Sequence, residues 1–170
     1  MTKEQQMFCF QCEQTAFGTG CTGGAGVCGK SSAEAGLQDK LTGALIGLAR
    51  TCQTAVPTAQ TYRVILEGLF TTVTNVNFNT ETTQVMIDKV HAESASLSDS
   101  PADDYDMSGL WNADEDIRSL KSLILFGMRG MAAYAYHALM LGKSSDELGA
   151  FFIKGLSALS EDWGMDELLP

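Results

Sequence analysis

Four cysteines near the N-terminus are the residues of this sequence best suited to chemistry. They follow the spacing Cys9-x2-Cys12-x8-Cys21-x6-Cys28 within one short stretch. Thiolates are soft metal ligands, and a two-residue gap allows neighbouring sulfurs to bind the same centre. Two kinds of centre fit this pattern, a structural zinc ion with four cysteine ligands and a [4Fe–4S] cubane.

The wider spacing favours the cubane, because zinc ribbons usually carry two close Cys-x2-Cys pairs and the second pair here is six residues apart. Glycines in the same stretch let the backbone approach closely and direct amide N–H groups at bridging sulfides. These glycines are Gly18, Gly20, Gly23, Gly24, Gly26 and Gly29. We expect Phe8, Phe10 and Phe17 to shield the centre from water, which helps to set a reduction potential. Zinc stays open as an alternative.

The remaining candidates have plainer interpretations. Cys52 lies on the apolar face of a predicted helix, where a free cysteine packs as a small hydrophobic residue. His91 is predicted to be exposed, and His137 is predicted to pack beside tyrosines. Residues 18–26 are rich in glycine but no Lys-Ser/Thr pair follows them, so they do not form a P-loop. We find no pair of general acid and base and no activated nucleophile, so we assign no catalytic residue.

Composition excludes several classes of protein. The 170 residues contain 11 Lys and Arg against 21 Asp and Glu, a net charge of −10, which argues against nucleic acid or an anionic membrane as partner. The apolar stretch over residues 120–141 is interrupted by Lys121, Arg129 and His137, so it predicts a buried helix rather than a membrane span. The N-terminus carries no signal-peptide pattern, so we expect a cytoplasmic protein with reduced cysteines.

Apolar periodicity predicts an all-α fold, since no segment alternates like a strand. Ser31 and Glu34 have the form of a capping box that opens the first helix, and Pro57 marks the second. Further helices are predicted over 80–93, from about Asp116 to Leu141 with Gly142 as terminator, and from a capping box at 144–147 to about Ser160. A short helix begins after Asp162 and breaks off at the end of the sequence, as expected of a chain that continues in a longer parent.

These elements divide the chain into four parts. Residues 1–30 form the Cys-rich iron–sulfur loop, 31–95 a first helical bundle, 96–113 a connector rich in Ser, Asp and Pro, and 114–170 a second helical segment. The predicted architecture is therefore a cluster-binding loop followed by two packed helical bundles.

Three stretches resemble the hybrid-cluster proteins, also called prismane proteins or hydroxylamine reductases. The most specific is the cysteine loop, with MFCFQCEQT at 7–15, GCT at 20–22 and GVCGK at 26–30. The others are LFTTVTNVNF at 69–78, and DIRSL at 116–120 with GMAAYAYHA at 130–138. The resemblance extends over essentially the whole chain.

The resemblance implies two three-helix bundles and a cluster bound by Cys9, Cys12, Cys21 and Cys28, a [4Fe–4S] in most members and a [2Fe–2S] in some. In the family, substrate is reduced at a second, hybrid iron–sulfur–oxygen cluster held by later domains. No cysteine follows Cys52, so we expect the reductase activity to depend on C-terminal domains absent from this sequence.

Three functions remain open. In the first, this region relays electrons from a redox donor protein to the hybrid cluster, where hydroxylamine or nitric oxide is reduced. In the second, it is a stand-alone [4Fe–4S] electron-transfer or sensing module. In the third, it is an interaction domain stapled by Zn(Cys)4, without a redox role.

Overall fold

A computed structural model describes residues 7–9, 11–12, 20–74 and 76–169. The described residues form helices and turns, with two isolated β-bridges in the cysteine loop. The helices are α1 (Ser32–Thr51), α2 (Ala59–Thr71), α3 (Thr80–Leu97), α4 (Ser108–Trp111), α5 (Glu115–Met140), α6 (Asp146–Ser160) and α7 (Met165–Leu168). The prediction of an all-α class is confirmed.

Helix ends follow the capping signals in part. Ser31 caps α1, because its Oγ accepts the Glu34 N–H at 3.1 Å. The prediction that Glu34 reaches back to complete a capping box is wrong, since its buried carboxylate accepts hydrogen bonds from Gln38 and Thr83 instead. Ser145 caps α6 through the Leu148 N–H, and Gly142 ends α5 at φ +73°.

One continuous apolar core joins α1, α2, α3, α5 and α6, with contributions from α4. Helix α1 lies at its centre, since every residue from Leu41 to Ala49 is buried. From the C-terminal half of the chain, Leu125 on α5 and Phe152 on α6 are inaccessible to solvent. The division into residues 31–95 and 114–170 therefore stays a prediction, with one core running through both parts.

The predicted connector, 96–113, packs closely along α1 and contains α4. The Tyr105 N–H donates to the Gly43 carbonyl at 3.0 Å, and a Cβ at Gly43 would overlap the Tyr105 carbonyl. At the end of α1, the Ala102 N–H donates to Thr51 Oγ1 at 2.9 Å. Glycine at position 43 is what allows the connector backbone to approach the helix so closely.

Among the described residues, no helix combines the length and apolar character needed to cross a lipid bilayer. The long α5 carries the buried Lys121 and Arg129. Their charged groups donate hydrogen bonds inside the protein, Lys121 to the Leu159 carbonyl and Arg129 to the Thr72 hydroxyl.

Candidate metal centre

Cys9 and Cys21 are paired by the backbone. The Cys9 N–H donates to the Cys21 carbonyl at 3.0 Å, and the Cys21 N–H donates to the Cys9 carbonyl at 2.7 Å. Gly20 precedes Cys21 at φ +107°, and a Cβ there would lie 2.9 Å from the Phe8 ring. Glycine is therefore required for the turn that brings Cys21 opposite Cys9.

Cys28 lies on a tight turn that leads directly into α1. The Gly26 N–H donates to the Lys30 carbonyl at 2.7 Å, and the Gly29 N–H donates to the Gly26 carbonyl at 2.9 Å. Gly29 has φ +88°, and a Cβ at Gly26 would contact Cys28 Sγ at 3.5 Å. The turn thus places the Cys28 sulfur within contact distance of Gly26, just before the start of α1.

All four cysteines of the loop line one small cavity. Gln11 and Thr74 also line it, and the Thr74 hydroxyl donates to the Gln11 carbonyl at 3.1 Å, which joins the loop to the turn that follows α2. The Gln11 side-chain oxygen is buried there and accepts no hydrogen bond from the described residues. The structure therefore brings together the four residues that the sequence spacing selected.

The lining of the cavity matches an iron–sulfur cluster in its ligand chemistry, because four soft cysteine sulfurs face the same space beside Gly26. In the part of the chain that the structure describes, no three His, Cys, Asp or Glu side chains converge as the ligands of a single metal ion. In a cubane each cysteine binds a different iron, so the sulfurs surround a volume rather than a point.

Burial raises the pKa of the Cys9 thiol, and so do the nearby Asp39 carboxylate and Cys21. A hydrogen bond from the Gln11 backbone and the positive charge of Lys30 act in the opposite direction. Ligation requires the thiolate, so these two groups favour the form of Cys9 that binds metal.

Lys30, two residues after Cys28, is only 2% exposed and also lines the cavity. Its Nζ donates to Gln38 Oε1 at 2.7 Å. Gln38 Nε2 in turn donates to Glu34 Oε1 and to the Asn77 carbonyl, both at 2.9 Å. Thr83 on α3 donates to the same Glu34 oxygen at 2.9 Å, so the network connects the loop to α1, α3 and the turn between α2 and α3.

Arg129 brings a second buried cation to the site from α5. Its Nε donates to Thr72 Oγ1 at 3.0 Å, and its Nη2 donates to Thr42 Oγ1 at 3.1 Å. Burial lowers the pKa of Arg129 to about 10, while the negative charges of Asp39 and Cys9 oppose that shift. The guanidinium stays protonated at neutral pH and acts as a fixed charge behind the loop.

An aromatic contact joins the loop to α4. The Phe8 and Trp111 rings meet edge to face with centroids 5.6 Å apart, and the shielding of the centre by Phe8 stays a prediction. Phe10, Phe17 and Gly18, which the sequence analysis also assigned to the site, lie outside the described residues.

Cys52 lies at the C-terminal end of α1, packs against the core and does not line the cysteine cavity. His91 is exposed and its Nε2 lies 2.9 Å from Asp104 Oδ2. His137 is also exposed, with its ring against Phe70.

Sequence reasoning missed Lys30, Gln38 and Arg129 as parts of the site. The signal for Arg129 was a lone charge within an apolar helix, which must find a polar partner when it is buried.

Comparison with known proteins gives one matching family. The model of the Prismane/CO dehydrogenase family matches residues 7–169. The hydroxylamine reductase of Desulfitobacterium hafniense strain Y51 is 36% identical over 92% of the chain and 34% of the relative. The enzyme of Maridesulfovibrio salexigens is 36% identical over 96% of the chain and 35% of the relative. The enzyme of Bacteroides thetaiotaomicron is 37% identical over 96% of the chain and 34% of the relative. The chain thus spans about a third of the length of these curated relatives.

Proposed function

The chain belongs to the Prismane/CO dehydrogenase family, and we propose that its cysteine loop binds a [4Fe–4S] cluster that serves as an electron relay. Family membership implies iron–sulfur chemistry in an oxidoreductase, and the proposal adds the cluster type and its ligands. The observation that carries the proposal is the single cavity lined by Cys9, Cys12, Cys21 and Cys28. When bound there, the cluster would supply reversible one-electron transfer.

The protein's contribution is to bind the cluster and to control its surroundings. The backbone hydrogen bonds between Cys9 and Cys21, together with the turn that ends at Lys30, fix the loop backbone. The positive charges of Lys30 and Arg129 both act on Cys9, which lowers the electrostatic cost of holding its thiolate near the other three. Phe8 packs against Trp111 of α4, and we expect this contact to limit the access of water to the loop.

The parent reaction is proposed from the relatives. The matched relatives are hydroxylamine reductases, and this chain spans about a third of their length. We infer that electrons from a donor protein pass through this cluster to a hybrid cluster in the remaining two thirds, where hydroxylamine or nitric oxide is reduced. On this proposal, Cys9, Cys12, Cys21 and Cys28 are cofactor ligands and none of them is a catalytic residue.

The test is the iron and acid-labile sulfide content of anaerobically purified chain, with its visible and EPR spectra. We expect about four iron and four sulfide per chain, as a cubane requires, and an S = 1/2 signal after reduction. Replacing any one of the four loop cysteines with Ala should lower the iron content, whereas Cys52→Ala should leave it unchanged. One zinc per chain without sulfide would instead support the zinc-stapled interaction domain.

A further inference from the structure

Building on the proposed function, we propose that Lys30 tunes this site: its buried ammonium stabilises the four-thiolate cluster and raises its reduction potential. The comparisons assign no role to this residue. The inference follows from where the charge is buried, what holds it and which negative groups surround it.

The Lys30 side chain is buried against the cysteine cavity rather than extended to solvent. The residue is 2% exposed, it follows Cys28 by two positions, and it lines the cavity with all four cysteines. Lysine almost never becomes fully buried unless its charge is paired. The ammonium has three N–H donors, and among the described residues the structure gives it one acceptor, Gln38 Oε1.

The orientation of Gln38 is fixed by its other hydrogen bonds. Its amide nitrogen donates to both Glu34 Oε1 and the Asn77 carbonyl, so its oxygen is the atom left to accept from Lys30. This arrangement holds the ammonium between the cysteine loop and α1. It also separates Lys30 from the Glu34 carboxylate, and no ion pair within the described ranges contains Lys30.

A cluster bound by the four cysteines would be a negative charge that shares the cavity with this cation, whereas the Glu34 carboxylate reaches Lys30 only through Gln38. Asp39 also interacts electrostatically with Lys30, but Asp39 shares its charge with the fully buried Arg129. A cubane with four thiolate ligands is an anion, and reduction adds a further negative charge. A fixed cation nearby therefore stabilises the reduced form more than the oxidised form.

The experiment compares the reduction potentials of wild type and three variants, each with the cluster assembled anaerobically. Lys30→Met removes the charge at nearly constant volume, and Lys30→Arg retains it. The matched control is Lys121→Met on α5, because Lys121 is 7% exposed and its Nζ donates to the carbonyls of Leu159 and Glu161, away from the loop. Iron and sulfide content and the helical circular dichroism signal are measured on every sample.

We expect Lys30→Met to retain its helical signal and to be reduced less readily, by about tenfold in the equilibrium constant, which is about 59 mV for one electron. Lys30→Arg should stay close to wild type, and Lys121→Met should not shift the potential. An unchanged potential in Lys30→Met with its cluster intact would overturn the inference. A wild-type chain without iron and sulfide would instead overturn the proposed function.

A second measurement uses the wild-type protein, so that it does not depend on whether Lys30→Met folds. Lysine labelled with 15N at Nζ is incorporated, and the reduced cluster is studied by pulsed EPR. We expect a hyperfine coupling from a lysine nitrogen that disappears in Lys30→Arg. The absence of any lysine coupling in wild type would contradict the inference.

Discussion

The indole N–H of Trp111 donates to Asp39 Oδ2 at 3.3 Å, which joins α4 to α1 directly behind the cysteine loop. Burial raises the pKa of Asp39 from 3.8 to about 6, even though this hydrogen bond and the charges of Arg129 and Lys30 lower it. Desolvation therefore exceeds the favourable contacts of the carboxylate.

This pKa predicts a pH dependence of stability. The folded state holds the Asp39 proton more tightly than the unfolded state, so stability falls as pH rises from about 3.8 to about 6. The full loss is about 2–3 kcal/mol. Urea denaturation of wild type and Asp39→Asn at pH 4.5 and pH 7.5 would check it. Asp39→Asn should gain stability relative to wild type at the higher pH, and an equal difference at both values would contradict the prediction.

Replacing the buried Arg129 should destabilise the fold strongly. Arg129→Met removes hydrogen bonds to Thr42 and Thr72 and leaves Asp39 without its main compensating charge, for a loss of about 3 kcal/mol. The matched control is Arg63→Met, because among the described residues the exposed Arg63 forms one ion pair, with Glu67 at the surface, and its loss should change stability little. Chemical denaturation measures the free energy of unfolding of both variants. Similar losses of stability in the two would refute the role given to Arg129.

Replacing each of two glycines of α1 with alanine should change the stability of the protein in opposite directions. A Cβ at Gly43 would overlap the Tyr105 carbonyl, so Gly43→Ala should displace the connector and cost about 2 kcal/mol or more. A Cβ at Gly36 meets nothing within 4 Å, so Gly36→Ala should stabilise the helix by about 0.5–1 kcal/mol. Thermal unfolding of the two variants measures the change in stability of each. The prediction would be wrong if both substitutions changed stability in the same direction.

Cys52 should be a slow nucleophile in the folded protein. Burial and the neighbouring Glu93 carboxylate raise the pKa of its thiol from 9.0 to about 11, so little thiolate is present near pH 8. The rate of alkylation by iodoacetamide, followed by mass spectrometry of cluster-loaded protein, should therefore keep rising with pH to about 11. In urea the pH midpoint of the alkylation rate should return toward 9.0. A midpoint near 9.0 in the native protein would show the prediction to be wrong.

Local signals in the sequence located the described helices except α4, which lies inside the predicted connector 96–113, and the choice of the four cysteines as ligands stays a prediction. Capping residues and terminators act within a few positions, which is why Ser31 and Gly142 mark helix boundaries correctly. The third helix runs four residues beyond its predicted end at 93, since packing against α1 extends it to Leu97. Tertiary burial stabilises such a segment where its own periodicity is weak.

What the sequence could not provide is the set of partners that come from distant positions. Glu34 was expected to close its own helix cap, but burial beside Thr83 and Gln38 turns its carboxylate toward α3. Nothing local indicates that Arg129 approaches Cys9, because the two lie on different elements far apart in the chain.

The sequence by itself determined an all-α chain and the four cysteines at cluster-binding spacing, because both depend on residue type and short-range periodicity. Only the tertiary structure decided that these cysteines share a cavity with Lys30 and that Arg129 and Asp39 set the charge behind it. The physical reason is that desolvation and Coulomb energy depend on which residues are buried together, and that is fixed only when the helices pack.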